Sequence, residues 1–136
     1  MPWFHNTLIV GLAIALSACA ARGELACKSS ERLAVHESLY FGTARPNGTV
    51  SYEQWREFLK ATITPRFPLG LTVWQATGQW RSANGEISRE SSYVLVLVHP
   101  DDVISERAVL EIVEIYKSRF QQEAVLRVRA SACMSF

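Results

Sequence analysis

Residues 71–99 read LTVWQATGQWRSANGEISRESSYVLVLVH. Two β-prone runs lie on either side of Asn84-Gly85, a pair that favours a tight hairpin turn. The first run, 71–81, is predicted as a long strand in which Gly78 marks a bulge or a close backbone approach. The return strand runs to His99. Its last part, residues 93–98 (YVLVLV), is apolar on both faces, the pattern of a central strand covered on both sides. The fold then depends on what flanks this hairpin.

Upstream lies a helix. Ser51 and Gln54 have the spacing of a capping box, and Val50 with Trp55 that of a hydrophobic staple. Trp55, Phe58, Leu59 and Ile63 recur at helical spacing. The helix is predicted to end near Thr64, because Pro65 disfavours helical geometry in the residue before it. Before it stand a loop at 45–49 (RPNGT), a strand at 38–44 with Leu39, Phe41 and Thr43 on one face, and a short helix at 28–35. Downstream, Pro100 and Asp101-Asp102 end the return strand and cap a second helix. That helix carries Val109, Ile112, Val113, Tyr116 and Phe120 on one face and Arg107, Glu111, Glu114 and Lys117 on the other. The last strand, 124–130, alternates: Ala124, Leu126, Val128 and Ala130 face one way, Val125, Arg127 and Arg129 the other.

The order is strand, helix, strand, strand, helix, strand: the ferredoxin-like βαββαβ pattern, an α+β fold. Right-handed crossovers place both helices on one face of a four-stranded antiparallel sheet of order 4-1-3-2. The doubly apolar strand then needs cover on the helix-free face. A second copy, as in dimeric α/β barrels, is the expected cover, and residues 25–37 folded over the face are the alternative.

Composition agrees with one folded domain. Of the 136 residues 49% are hydrophobic and 20% charged, and the net charge is +1. A sequence-independent nucleic-acid binder would carry a basic excess, so nucleic acid is not an expected partner. The apolar run at 8–16 (LIVGLAIAL) is too short to span a bilayer and has the length of a signal-peptide core. Before it stand only His5 and the terminal amine, so a basic n-region is missing. Leu16-Ser17-Ala18-Cys19 follows and resembles a bacterial lipoprotein signal. The organisation read from this is a signal peptide at 1–18, a tether and N-terminal segment at 19–37 with lipid on Cys19, and the ferredoxin-like domain at 38–136. The expected place is the cell envelope, on the periplasmic face. Ala20 after Cys19 resembles outer-membrane-sorted lipoproteins, if the cell is Gram-negative.

Cys27 and Cys133 remain. In this layout the end of the last strand lies near the start of the first, so a Cys27–Cys133 disulfide is feasible; two unrelated thiols are the alternative. No nucleophile elbow, zinc signature, phosphate loop or dinucleotide fingerprint occurs, and no metal or cofactor is expected. His99, three residues before Asp102, is a weak candidate general base oriented by a carboxylate, and Tyr40 a weak candidate acid or base. Arginine outnumbers lysine eleven to three. Arg66, Arg81 and Arg89, with Gln79 and Trp80, are candidates for an anion-binding cleft with an aromatic wall, and Arg127 and Arg129 add to the set. The plainer reading is surface ion pairs and a core Trp80.

Several segments together resemble a bacterial family: Tyr40-Phe41-Gly42; Ser51 with Trp55 and Phe58-Leu59; Thr64-Pro65-Arg66-Phe67-Pro68 with Gly70-Leu71-Thr72-Val73; Gly78-Gln79-Trp80-Arg81; Arg89-Glu90-Ser91; and Tyr116 with Arg119-Phe120-Gln121-Gln122-Glu123. Over residues 36–136 the chain resembles domain of unknown function 3574. One departure is Gln121-Gln122-Glu123-Ala124, where the family often has a serine after the glutamine. The resemblance implies a small secreted or lipoprotein-anchored protein and assigns no catalytic residue. Two functions are compatible with these residues. One is an envelope lipoprotein binding a small anionic ligand or a protein partner. The other is a small enzyme with an acid/base site, His99 or Tyr40, in a dimer cavity.

Overall fold

In the computed structural model, residues 25–81 and 83–136 are described; the signal segment and Cys19 lie outside them. Six strands and two helices follow in order: β1 Arg32–Gly42, β2 Ala44–Arg45, β3 Gly48–Thr49, α1 Tyr52–Phe58, β4 Thr72–Arg81, β5 Ile87–His99, α2 Val103–Phe120 and β6 Leu126–Met134. The main sheet has the order β4-β5-β1-β6, all neighbours antiparallel. This is the expected βαββαβ topology. β2 and β3 form a small ribbon within the expected loop at 45–49.

Two boundaries differ from the sequence reading. The helix expected at 28–35 is absent; a turn occupies 29–30, and β1 starts at Arg32. Pairing decides this. Arg32 to Tyr40 lie opposite Met134 to Leu126, so an early strand satisfies backbone groups that a short helix would leave to water. The last strand correspondingly runs to Met134 rather than ending at 130. Gly78 marks no bulge, because the β4–β5 register passes through Gly78↔Glu90 without an extra residue.

α1 begins as read. Ser51 Oγ accepts from Gln54 N–H at 3.2 Å, and the Gln54 side chain accepts from Ser51 N–H at 3.0 Å. After Phe58 the helix widens into a π-helical turn, Leu59–Ile63, before Pro65 ends it. The wider turn buries both Thr62 and Ile63. α2 is capped by Asp102, which accepts from Ser105 N–H at 2.7 Å, and ends on Gln121 in the left-handed region.

The core lies between the two helices and one sheet face. Leu39 and Phe41 of β1 and Tyr93, Leu95 and Leu97 of β5 meet Trp55, Phe58, Ile112, Tyr116 and Phe120. Trp55 stacks on Tyr93 at 4.5 Å, and Phe41 meets Tyr116 edge-on at 4.6 Å. Tyr116 donates from its hydroxyl to Gly42 O at 2.8 Å, and burial pushes that phenol well above its ordinary range. A Cβ on Gly42 would come within 2.5 Å of the Glu90 carboxylate, so a substitution there has to displace the end of that side chain.

Cys27 and Cys133 form a disulfide, with Cα atoms 5.4 Å apart. Glu31 lies beside it, but both sulfurs are committed to the bond, so this cluster is not a metal site.

Candidate functional site

The register places every side chain of the sheet on one of two faces. Val35, Glu37, Leu39 and Phe41 of β1 point toward the helices, as do Tyr93, Leu95, Leu97 and His99 of β5. Arg127 and Arg129 share that face, opposite Leu39 and Glu37. Tyr40, Val94, Val96, Leu126 and Val128 point the other way.

On the helix side, four polar residues meet at the end of the sheet beneath the start of α2. Glu37 is fully buried. Its Oε2 lies 3.0 Å from His99 Nε2 and accepts from Arg127 Nη2 at 3.1 Å, and its Oε1 accepts from Arg127 Nε. Arg127 continues to Glu106 through a fork of 2.7 and 2.6 Å. His99 Nδ1 lies 2.8 Å from Pro100 O. Both ring nitrogens of His99 therefore stand within hydrogen-bond distance of a protein oxygen, Glu37 Oε2 on one side and Pro100 O on the other. Glu37, not Asp102, orients this histidine; Asp102 is occupied with the α2 cap. A strand read from Ser38 stops one residue short of Glu37, although Glu37 continues the inward phase of Leu39 and Phe41.

Two carboxylates here are held below their ordinary values by contacts that exist only in the fold. Hydrogen bonds from Arg127 lower Glu106, and the Ser105 N–H lowers Asp102. A depressed carboxylate adds stability above its unfolded value, and this is lost as pH falls toward the folded one. The melting temperature is therefore expected to be level above about pH 5 and to drop below it as these groups protonate. Glu106→Gln should make that drop shallower. Thermal melts from pH 3 to pH 7 test this, and an equally steep acid limb in the variant would remove Glu106 from it.

The arginines of the expected cleft separate. Arg66 lies at the His99 end, where Glu111 and Thr62 O hold it at 3.2 and 2.8 Å. Gln79, Trp80, Arg81 and Arg89 lie at the far end of the β4–β5 hairpin, where Arg89 Nε meets Gln79 Oε1 at 3.5 Å. β5 has 13 residues, which sets these groups about 30 to 40 Å apart along the strands. Tyr40 and His99 also part: Tyr40 stands on the helix-free face and His99 under the helices.

The helix-free face is apolar and open. Trp74, Val94, Tyr40 and Leu126 form one row across all four strands, and Thr72, Val96, Ser38 and Val128 the next. Trp74, Tyr40, Leu126, Val128 and Val98 are exposed. Between the Arg32 row and the Glu90 row no Asp, Glu, Lys or Arg stands on this face. Residues 25–31 do not pair with it.

A family model described as Protein of unknown function (DUF3574) matches residues 36–136. No curated protein matches the sequence. Among solved structures, a phage SAM lyase in the apo state is 14% identical, with TM-score 0.52, covering 76% of this chain and 90% of that one. CutA from Synechococcus elongatus is 9% identical, with TM-score 0.52, covering 77% and 83%. At such identities the likeness is one of fold.

Proposed function

The chain belongs to the DUF3574 family, whose function is unknown, and on that footing we propose that it is an envelope lipoprotein, tethered through Cys19, that works by binding a protein through its open sheet face. The partner we infer is a second copy. One observation carries this reading: the uninterrupted apolar row Trp74–Val94–Tyr40–Leu126, in a stretch of the face, between the Arg32 and Glu90 rows, free of Asp, Glu, Lys and Arg. Such a face meets its own copy without like-charge repulsion, and a two-fold interface needs that self-complementarity. Four strands span about 19 Å, and the nine residues from Ala34 to Gly42, between the Arg32 and Glu90 rows, about 30 Å. Corrugated by side chains, that area approaches the ~800 Å² per partner of a standard interface.

The anionic-ligand reading has less behind it, since Arg66 is committed to Glu111 and stands far from Arg81 and Arg89. The enzyme reading loses its shared cavity, since Tyr40 and His99 stand on opposite faces of the sheet.

Native mass spectrometry and sedimentation of the purified protein test the reading. The expected result is a dimer whose dissociation constant rises at least about 100-fold in Tyr40→Glu/Val128→Glu, because four charges enter the interface. Both positions are exposed, so the fold should persist, as a thermal melt would show. A monomeric parent protein, or a dimer indifferent to the two glutamates, would overturn it.

A further inference from the structure

Leu69, Val103, Ile104 and Phe136, at the disulfide end of the sheet, lie outside the rows of that pairing face. The start of β1, the ends of β5 and β6, the start of β4 and the start of α2 gather there. Leu69, Val103, Ile104 and Phe136 project from this end with exposures of 99%, 72%, 82% and 105%, and Leu25 and Leu33 are exposed beside them. Leu69 and Phe136 line one groove of about 560 Å³, with Val96 and Val98. Arg32 lines it too, and makes no ion pair or side-chain hydrogen bond among the described residues. The acidic groups nearby are engaged: Asp101 with Arg129, Asp102 with Ser105 N–H and Glu31 with Lys28 N–H.

The chain leaves from this same end. The Cys27–Cys133 bond fixes residue 27 to the end of β6, and the described residues begin at Leu25. Only residues 20–24 separate Leu25 from Cys19, a reach of at most about 21 Å. A lipid on Cys19 therefore holds this end against the membrane, while the hairpin tip stands about 40 Å farther out.

We propose that the disulfide end docks on the lipid surface, with Leu69, Val103, Ile104 and Phe136 entering the boundary between headgroups and acyl chains and Arg32 meeting lipid phosphates. The orientation argument rests on the Cys19 anchor. Docking would hold the sheet upright, so that the helix-free face looks sideways along the membrane, where a second anchored copy would lie. Apolar side chains next to a cation are the composition that settles into this boundary.

The full chain, extracted from cells and reconstituted in vesicles of phosphatidylethanolamine and phosphatidylglycerol, tests this. Leu69→Trp and Phe136→Trp each add an indole to an exposed position. Lipid brominated near the glycerol end of its chains should quench the added fluorescence about twofold beyond any quenching of the parent protein, in which Trp74, near the start of β4, is the described tryptophan on this side of the sheet. No quenching of either added indole overturns the proposal. The intact mass reports acyl groups on Cys19 separately. If none are found, the anchor fails, and partition of the unacylated chain onto the same vesicles decides the docking. Partition about tenfold weaker in Leu69→Ser/Phe136→Ser sustains docking, and partition unchanged by the two serines overturns it.

Discussion

Glu37→Ala is expected to lower stability by about 3 to 5 kcal/mol, the scale for removing one partner of a buried ion pair. The carboxylate is fully buried and has two partners, His99 Nε2 at 3.0 Å and the Arg127 guanidinium at 3.1 Å. Without it, Arg127 keeps Glu106, but His99 Nε2 faces a cavity with no partner. That unpaired buried nitrogen and the nearby guanidinium, rather than the lost attraction itself, make the cost large. A second variant separates these contributions. Glu37→Leu/His99→Phe/Arg127→Met replaces the linked groups with apolar ones of similar volume, and such replacements are often neutral or stabilising. It should recover most of the loss. Denaturant titrations of both variants are the measurement. A loss below about 1 kcal/mol for Glu37→Ala would mean that water or a neighbour satisfies the site, and that the network does not anchor the end of the sheet.

That network also marks where the sequence could and could not be read. The hairpin, the two caps and the inward phase of α2 follow from local rules. Asn84-Gly85 makes its turn, with Gly85 at a φ of 87°, and Ser51, Gln54 and Asp102 make the bonds their types favour. The start of β1 does not follow, because its evidence is non-local. Lys28 to Val35 look like a mixed-charge helix until β6 supplies Arg32 to Val35 with partners at Met134 to Ser131. The face of Arg127 follows from the same register. An alternation of apolar and arginine residues suggests that the arginines point to water, and a buried carboxylate on the neighbouring strand reverses this. The separation of the arginines is a matter of strand length: Arg66 and Arg81 stand at opposite ends of a long hairpin. The apolar face, by contrast, was legible, because residues 93–98 are apolar in both phases and helices cover only one.

Cys27→Ser/Cys133→Ser is the other change expected to have a large effect. The bond closes a sequence separation of 106 residues, and loop-closure entropy for such a ring gives an upper value of about 4.8 kcal/mol, with about 2 to 5 usual on removing a native disulfide. For a domain of this size the melting temperature should fall by about 10 to 20 °C. The loss should not be spread evenly. The core between the helices and the centre of the sheet contains neither cysteine, so its amides should keep their relative order of exchange. Residues 25–31 pair with no strand of the sheet, and the bond joins them to the end of β6. The first amides of β1 and the last of β6, Arg32 to Leu33 and Cys133 to Met134, should therefore exchange earliest in the variant. Scanning calorimetry and hydrogen exchange on the oxidised protein and the double serine variant make the comparison. A fall under about 3 °C would show that the unfolded chain loses little freedom to this ring. Loss of protection across the whole sheet at once would show that the β1–β6 edge does not open as a separate unit. Either result would also bear on the proposed tether, since the same bond decides whether a lipid anchor on Cys19 would pull on residue 27 or directly on β1.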